Sequence, residues 1–165
     1  MSFYNDVILP RLTHLLMGSR RLVPYRARVI SSAQGRVLEI GIGSGLNLPF
    51  YGPAVRDVVG LEPLPQLIAM ARQGAERTRM TVTFIKESAE AIPLEDHTVD
   101  TVVTTFTLCT IPEVDRALGE MRRVLKRSGR MLFVEHGLAP DAAVRNALSL
   151  APAIGPMLHR QGGVV

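Results

Sequence analysis

Short runs of apolar and β-branched residues alternate along this chain with longer stretches in which apolar residues recur every three or four positions. The short runs predict five buried strands. They are RVLEI (36–40), DVVGL (57–61), VTFI (82–85), VDTVVTTF (99–106) and RMLFVE (130–135). Apolar strands separated by helices are typical of a parallel sheet covered on both faces. We therefore expect an α/β fold, a Rossmann-like doubly wound and mainly parallel sheet of about five strands, with ligands at their carboxyl ends.

Two stretches between these strands carry the helical period. Residues 64–78 predict a helix whose buried side consists of Leu67, Ile68 and Ala71. Residues 114–126 predict a second helix, which Ser128 and Gly129 would end. Its inward-facing residues are expected to be Leu118, Met121, Val124 and Leu125.

The length of 165 residues predicts one domain with one core. We divide it into an N-terminal helical cover (1–35), a core (36–137) and a short tail (138–165). In the cover, residues 4–17 predict a short helix interrupted by Pro10, which forms a lid or only completes the core. The tail starts with a helical pattern, but its later prolines and glycines do not predict strands.

Three glycines, Gly41, Gly43 and Gly45, follow the first strand, where the chain should turn into the next helix. Glycine allows the backbone to pass close beneath a ligand, although a tight turn without any ligand is the alternative. Leu46 stands where the dinucleotide fingerprint needs its third glycine, and no lysine follows as in a P-loop. Glu39, just before the turn, would repel a pyrophosphate but favour a cationic ligand.

A second carboxylate, Glu62, ends the second strand, 23 residues after Glu39. In nucleotide-binding folds an acidic side chain at this place accepts hydrogen bonds from ribose hydroxyls. The alternatives are a solvated loop glutamate or a helix cap. Two carboxylates beside an open backbone turn, with no phosphate-binding lysine, indicate a site for a positively charged nucleoside.

The net charge of +4 and the isoelectric point of about 9.8 raise the possibility of a nucleic-acid partner. The basic residues are scattered, apart from one cluster at 20–28 and a second at 122–130. We interpret both clusters as solvated basic faces. Because zinc-finger spacing and aromatic-interleaved basic strands are missing from the sequence, we expect no nucleic-acid partner.

Cellular context follows from three negative features of the sequence. The single cysteine, Cys109, excludes an intrachain disulfide and a cysteine metal cluster, so no metal is expected. The unbroken apolar runs are shorter than a membrane span, so no integral membrane segment is expected. The first twelve residues do not have the pattern of a signal peptide. These features predict a reduced, cytoplasmic protein.

Four segments in this order resemble the class I S-adenosylmethionine-dependent methyltransferases, and more closely the methyltransferase-11 type domain. They read VLEIGIGSG (37–45), VVGLEP (58–63), KESAEAIPLEDHTVDTVVTTFTLCTIP (86–112) and ALGEMRRVLKRSGRMLFVEHG (117–137). The blocks TLCTIPE and RMLFVEHG also resemble a phospholipid or thiol methyltransferase-like subgroup. The resemblance implies transfer of a methyl group from S-adenosyl-L-methionine to a small-molecule or lipid-like acceptor.

The resemblance also implies which residues hold the cofactor. The methionine part would lie against Glu39, Gly41, Ile42, Gly43 and Gly45. Glu62 would bind the ribose, and Pro63 would lie near the adenine.

The far side of the cofactor is expected to contact the ends of the third and fourth strands. The residues implied to border the adenine are Ser88, Ala89 and Glu90. Many relatives have aspartate in place of Ser88, and serine accepts a hydrogen bond more weakly. Thr105 and Phe106 would face the sulfonium, although core packing of Phe106 is an equal alternative.

Methyl transfer requires mainly alignment of the acceptor, the methyl group and the sulfur, and a base only if the acceptor starts protonated. His136, beside Glu135, is our candidate for that base, with a structural role as the alternative. We expect Cys109 to be buried and inert. Three tyrosines could line an acceptor pocket, but the spacing selects none of Tyr4, Tyr25 and Tyr51.

The chain departs from the family pattern after Gly137, where 28 residues follow in place of the family's last two strands. The missing strand pair would leave the fifth strand as an exposed edge. Two other functions therefore stay open. One is a non-catalytic or truncated relative that binds the cofactor or acts as an interaction module. The other is a nicotinamide-dependent oxidoreductase, which Leu46 disfavours. The sequence does not indicate the oligomeric state.

Overall fold

The computed structural model describes residues 8–135. The helices are α1 (Leu9–Met17), α2 (Val23–Ile30), α3 (Pro65–Ala75) and α4 (Val114–Val124). The strands are β1 (Gly35–Ile40), β2 (Val55–Leu61), β3 (Thr81–Ile85), β4 (Val99–Thr105) and β5 (Leu125–Val134). Single 3-10 turns lie at Leu48–Phe50 and Leu108–Thr110.

All five strands are parallel and lie in the order β3-β2-β1-β4-β5. The chain moves outward from β1 to β3 and then returns to pair β4 with the other side of β1. This reversal opens a crevice at the carboxyl ends of β1 and β4, which is where open α/β sheets bind ligands. The predicted Rossmann-like, doubly wound sheet is thus confirmed.

The core consists of two apolar layers, one on each face of the sheet. On the first face, Leu38 and Val102 pack with Met121 of α4, and each of these is at most 1% exposed. On the second face, Val37 and Val103 pack with Ile30 of α2. Strands buried on both faces explain why the sequence shows continuous apolar runs rather than alternation.

The region from α4 to β5 differs from the sequence prediction. The helix ends at Val124, and Leu125 already pairs with Val99 of β4, so the chain is extended five residues earlier than predicted. Gly129 therefore lies within the strand rather than ending the helix, and the β4–β5 register shifts here. Leu118 is 38% exposed, so its predicted inward position is wrong.

Two connections also differ from a regular alternation of strands and helices. The glycine turn after β1 leads into one 3-10 turn rather than the helix that we predicted. A loop joins β3 to β4, and its residues Ala89 and Ile92 fill the core beside α4. The predicted tail, residues 138–165, lies outside the described residues.

Between residues 8 and 135 the structure contains no helix that is both long and apolar enough to cross a membrane.

Candidate functional site

A cavity of about 450 Å³ lies at the carboxyl ends of the strands, at the crevice beside β1. The turn after β1 supplies one wall, the ends of β2 and β4 supply the floor, and α1 closes one side. Of the predicted cofactor residues, nine line this cavity: Gly41, Ile42, Gly43, Glu62, Pro63, Ser88, Ala89, Thr105 and Phe106. The other three, Glu39, Gly45 and Glu90, lie outside its lining.

The glycine turn takes backbone dihedrals that other residues rarely adopt. Gly41 has a φ of +63° and Gly43 a φ of +56°. A side chain at Gly41 would collide with Thr107, which also lines the cavity. Gly45, with a φ of +79°, instead allows the turn to pack on Ala71 of α3. The turn thus presents bare backbone to the cavity at Gly41 and Gly43.

Glu62 joins the end of β2 to the glycine turn. Its carboxylate accepts hydrogen bonds from the backbone N–H of Gly43 at 3.1 Å and of Leu64 at 3.0 Å. Burial, which leaves the residue 6% exposed, raises the pKa of Glu62, and the two backbone bonds oppose that shift. The side chain is therefore fixed in direction, and a carboxylate has further acceptor positions for a ligand in the cavity.

Glu39 lies beneath the cavity rather than in its wall. It is 1% exposed, and its two carboxylate oxygens accept hydrogen bonds from Asn47 Nδ2 and from the Tyr51 hydroxyl, both at 2.7 Å. Burial raises its pKa to about 7, although these bonds and the nearby charge of Arg26 lower it. Glu39 thus holds together the residues that support the cavity floor.

Arg26 of α2 supplies a buried positive charge to the cavity. It is 5% exposed, and its guanidinium donates to Asn47 Oδ1 at 2.8 Å and to Thr105 Oγ1 at 3.1 Å. Its Nε finds no hydrogen-bond acceptor among the described residues. Burial lowers its pKa, and the charge of Glu39 opposes this. Our prediction of a solvated basic face at residues 20–28 is therefore wrong for Arg26.

Two features of the sequence could have identified Arg26 as an inward residue. It precedes the buried Ile30 by four positions, so a helix places both on one side. The exposed Arg28 is two positions away from Arg26 and falls on the other side. The charge of Arg26, taken alone, favoured a position on the surface, because arginine is rarely buried without partners.

At the end of β4, Phe106 adopts an unusual backbone conformation. Its φ is +56°, a region that residues other than glycine rarely occupy. Its N–H donates to the carbonyl of Val134 at 2.8 Å, and the Arg26 guanidinium lies 5.2 Å from its ring centroid. Strained residues of this kind often occur at functional sites, and Phe106 lines the cavity.

The loop after β3 closes another side of the cavity. Ser88 and Ala89 line it, together with Glu87, which no sequence motif indicated. The Ser88 hydroxyl donates to Glu90 at 2.5 Å. Glu90 also accepts the N–H of Glu113 at 2.8 Å, so its carboxylate orders the loop from outside the lining.

Helix α1 forms the remaining wall. Pro10, Thr13 and Met17 face the cavity. The His14 ring nitrogen Nδ1 lies 2.7 Å from the Ser44 hydroxyl, which ties α1 to the glycine turn. Helix α1 thus closes one side of the cavity.

The remaining candidates divide by location. Tyr25 is 59% exposed, and Tyr51 bonds to Glu39 beneath the cavity, whereas Tyr4 and His136 lie outside the described residues. Burial raises the pKa of the Cys109 thiol, which favours its unreactive protonated form.

Comparisons with known proteins point to one family. The profile described as "Methyltransferase domain" matches residues 38–133. A phosphatidylethanolamine N-methyltransferase from Cereibacter sphaeroides is 36% identical over 127 residues, which are 73% of this chain and 61% of that protein. The human thiol S-methyltransferase TMT1B is 31% identical over 139 residues, 81% of this chain and 57% of that protein.

A solved structure agrees with the fold. The crystal structure of YcgJ from Bacillus subtilis matches with a TM-score of 0.64 and 29% identity, over 77% of this chain and 54% of that chain. This chain therefore spans less than two thirds of the length of each of these three proteins.

Proposed function

Since the chain belongs to the methyltransferase domain family, as its sequence motifs predicted, we propose that it binds S-adenosyl-L-methionine and transfers the methyl group to a small-molecule or lipid-like acceptor. The observation that supports this most strongly is the position of Glu62. Its carboxylate is buried at the end of β2, bonded to the glycine turn, and lines the cavity. This is the place at which nucleotide-binding folds hold ribose hydroxyls.

The chemistry of the cavity fits a cationic nucleoside that carries an amino acid. Glu62 supplies a negative charge and free acceptor positions for the ribose. Arg26 supplies a guanidinium at the cavity wall, whose positive charge suits a ligand carboxylate. Bare backbone at Gly41 and Gly43 leaves room between these two charges. Ser88 and Ala89 are left to border the adenine.

The bound cofactor would supply an electrophilic methyl group on a positively charged sulfur. The residues of this chain would then have two tasks, to hold the reacting groups in line and to exclude water. Thr105 and Phe106 are placed for the first task, since both line the cavity at the end of β4. Helix α1 is placed for the second, because it covers the cavity from the side.

Proton removal is needed only for an acceptor that is protonated when it binds. His136, which directly follows Glu135 in the sequence, remains our candidate. Glu135 accepts the N–H of Thr107 at 2.9 Å and thereby connects the end of β5 to the cavity wall. Two relatives, a phosphatidylethanolamine N-methyltransferase and a thiol S-methyltransferase, are consistent with the acceptor class that we propose.

Replacing Glu62 by alanine is expected to weaken S-adenosylmethionine binding by about 1–3 kcal/mol, because charge-assisted hydrogen bonds to the ribose are lost. Isothermal titration calorimetry of both proteins measures the difference. The exposed Glu76 at the end of α3 provides a matched control, and Glu76→Ala should bind as the unmodified chain does. Unchanged affinity in a cooperatively folded Glu62→Ala variant would refute the ribose role.

A further inference from the structure

Helix α1 has one face towards the cavity and an apolar face towards solvent. Its cavity face consists of Pro10, Thr13 and Met17. At 3.6 residues per turn, the opposite side carries Ile8, Leu12, Leu15 and Leu16. Leu15 is 72% exposed and Leu16 is 62% exposed. A helix on a globular protein normally buries its apolar stripe, so this face needs a partner.

The segment that contains α1 and α2 also carries exposed positive charge. Exposed arginines lie on α1, in the turn after it and on α2, namely Arg11, Arg20, Arg21 and Arg28. Two further exposed side chains, Val23 and Tyr25, lie in the first turn of α2. The sequence has no aspartate or glutamate from residue 7 to residue 38. Apolar side chains and arginines without carboxylates are the composition of helices that lie in the headgroup region of a membrane.

We propose that this α1 surface, formed by the exposed side chains of residues 8–28, docks on an anionic phospholipid bilayer. Leu12, Leu15 and Leu16 would enter the boundary between headgroups and acyl chains. The arginines would contact lipid phosphates, since basic side chains near an anionic leaflet add to its affinity. Tyr25 suits the same depth, because its ring is apolar and its hydroxyl is polar.

Docking by this surface would place the cavity at the lipid. The same helix that presents Leu15 and Leu16 outward forms a cavity wall through Thr13 and Met17. A lipid-like acceptor could therefore enter the cavity beside α1 without crossing water. The access of an acceptor rests on the proposed function, whereas the docking itself does not.

Two other occupants of the α1 surface fit its charge less well. A second copy of the chain would bring the same arginines against these arginines. Residues 136–165 contain one acidic residue, Asp141, together with Arg145 and Arg160, so they do not complement a basic rim. An anionic bilayer would bury the exposed leucines and would also attract the arginines.

Co-sedimentation of the full chain with vesicles tests the proposal. We expect binding to vesicles of phosphatidylcholine and phosphatidylglycerol, and much weaker binding to phosphatidylcholine alone. A double variant, Leu15→Ser with Leu16→Ser, should lower the bound fraction at least about tenfold. Arg20→Gln with Arg21→Gln should lower it as well and reduce its dependence on salt. Leu118→Ser, at an exposed leucine on α4, is the matched control and should bind normally.

A labelling experiment tests whether another part of the chain or a second copy covers the α1 surface. In a Cys109→Ser background, a Leu15→Cys variant should react quickly with a maleimide in water and slowly with anionic vesicles present. Slow reaction without vesicles would show that the chain or a second copy covers α1, and would overturn the proposal. Absent vesicle binding, or an equal loss in Leu118→Ser, would also overturn it. Calorimetry with S-adenosylmethionine on the same variants reports separately on the proposed function.

Discussion

Replacing Glu39 by glutamine should remove the contribution of this residue to the pH dependence of folding stability between pH 4.5 and about 7. Burial raises the pKa of Glu39 from 4.5 to about 7. In this window the folded chain keeps a proton that the unfolded chain has released. The group's contribution is therefore fully present below pH 4.5 and is lost as the pH rises through about 7. The loss amounts to about 3 kcal/mol.

Glutamine is the suitable replacement because it has the shape and the neutrality of the protonated carboxyl group. It can accept from Asn47 and donate to the Tyr51 oxygen, so the network beneath the cavity keeps its bonds. Urea unfolding at several pH values from about 5 to about 8 measures the effect. The exposed Glu76→Gln variant should follow the unmodified chain. Parallel stability curves for Glu39→Gln and the unmodified chain would contradict the prediction.

Replacing Arg26 by alanine should destabilise the fold by about 3–5 kcal/mol, as expected when one partner of a buried charged network is removed. The change leaves Asn47 Oδ1 without its donor at 2.8 Å. It also removes the cation that lowers the pKa of Glu39, so the loss of stability should extend to higher pH. The space beside Phe106 and Thr105 would be left unfilled.

Arg28 offers a matched control on the same helix. It is exposed, and its replacement by alanine should change the unfolding free energy by no more than about 0.5 kcal/mol. Chemical unfolding of both variants provides the comparison. Equal small losses in Arg26→Ala and Arg28→Ala would show that the buried network contributes little to stability.

The strand pattern predicted the sheet because its central strands are buried on both faces. Runs such as DVVGL and VDTVVTTF leave little choice other than a covered parallel strand. The boundary between α4 and β5 was harder to predict than the strands, since Leu125 suits a helix and a strand equally. Only its pairing with Val99 decides for the strand. Local pattern therefore gave the order of elements, and tertiary pairing determined where they end.

The glycine turn and Glu62 were predictable because each follows a strand end at a spacing that few other folds share. The residues that surround Glu39 beneath the cavity were not predicted as a group. Asn47 and Tyr51 flank the 3-10 turn after β1, whereas Arg26 lies on α2, and only the folded chain brings all three to Glu39. Helix spacing could place Arg26 on the inner side of α2, but no local pattern shows that these three residues share the buried carboxylate of Glu39.

Calorimetric titration of the full chain with S-adenosylmethionine, with NAD as the control ligand, tests the proposed cofactor most directly. We predict a dissociation constant on the order of micromolar for S-adenosylmethionine and no binding of NAD. Cooperative unfolding of the same sample shows that the chain is folded. Absence of S-adenosylmethionine binding by a cooperatively folded chain, or comparable binding of NAD, would contradict the proposed function.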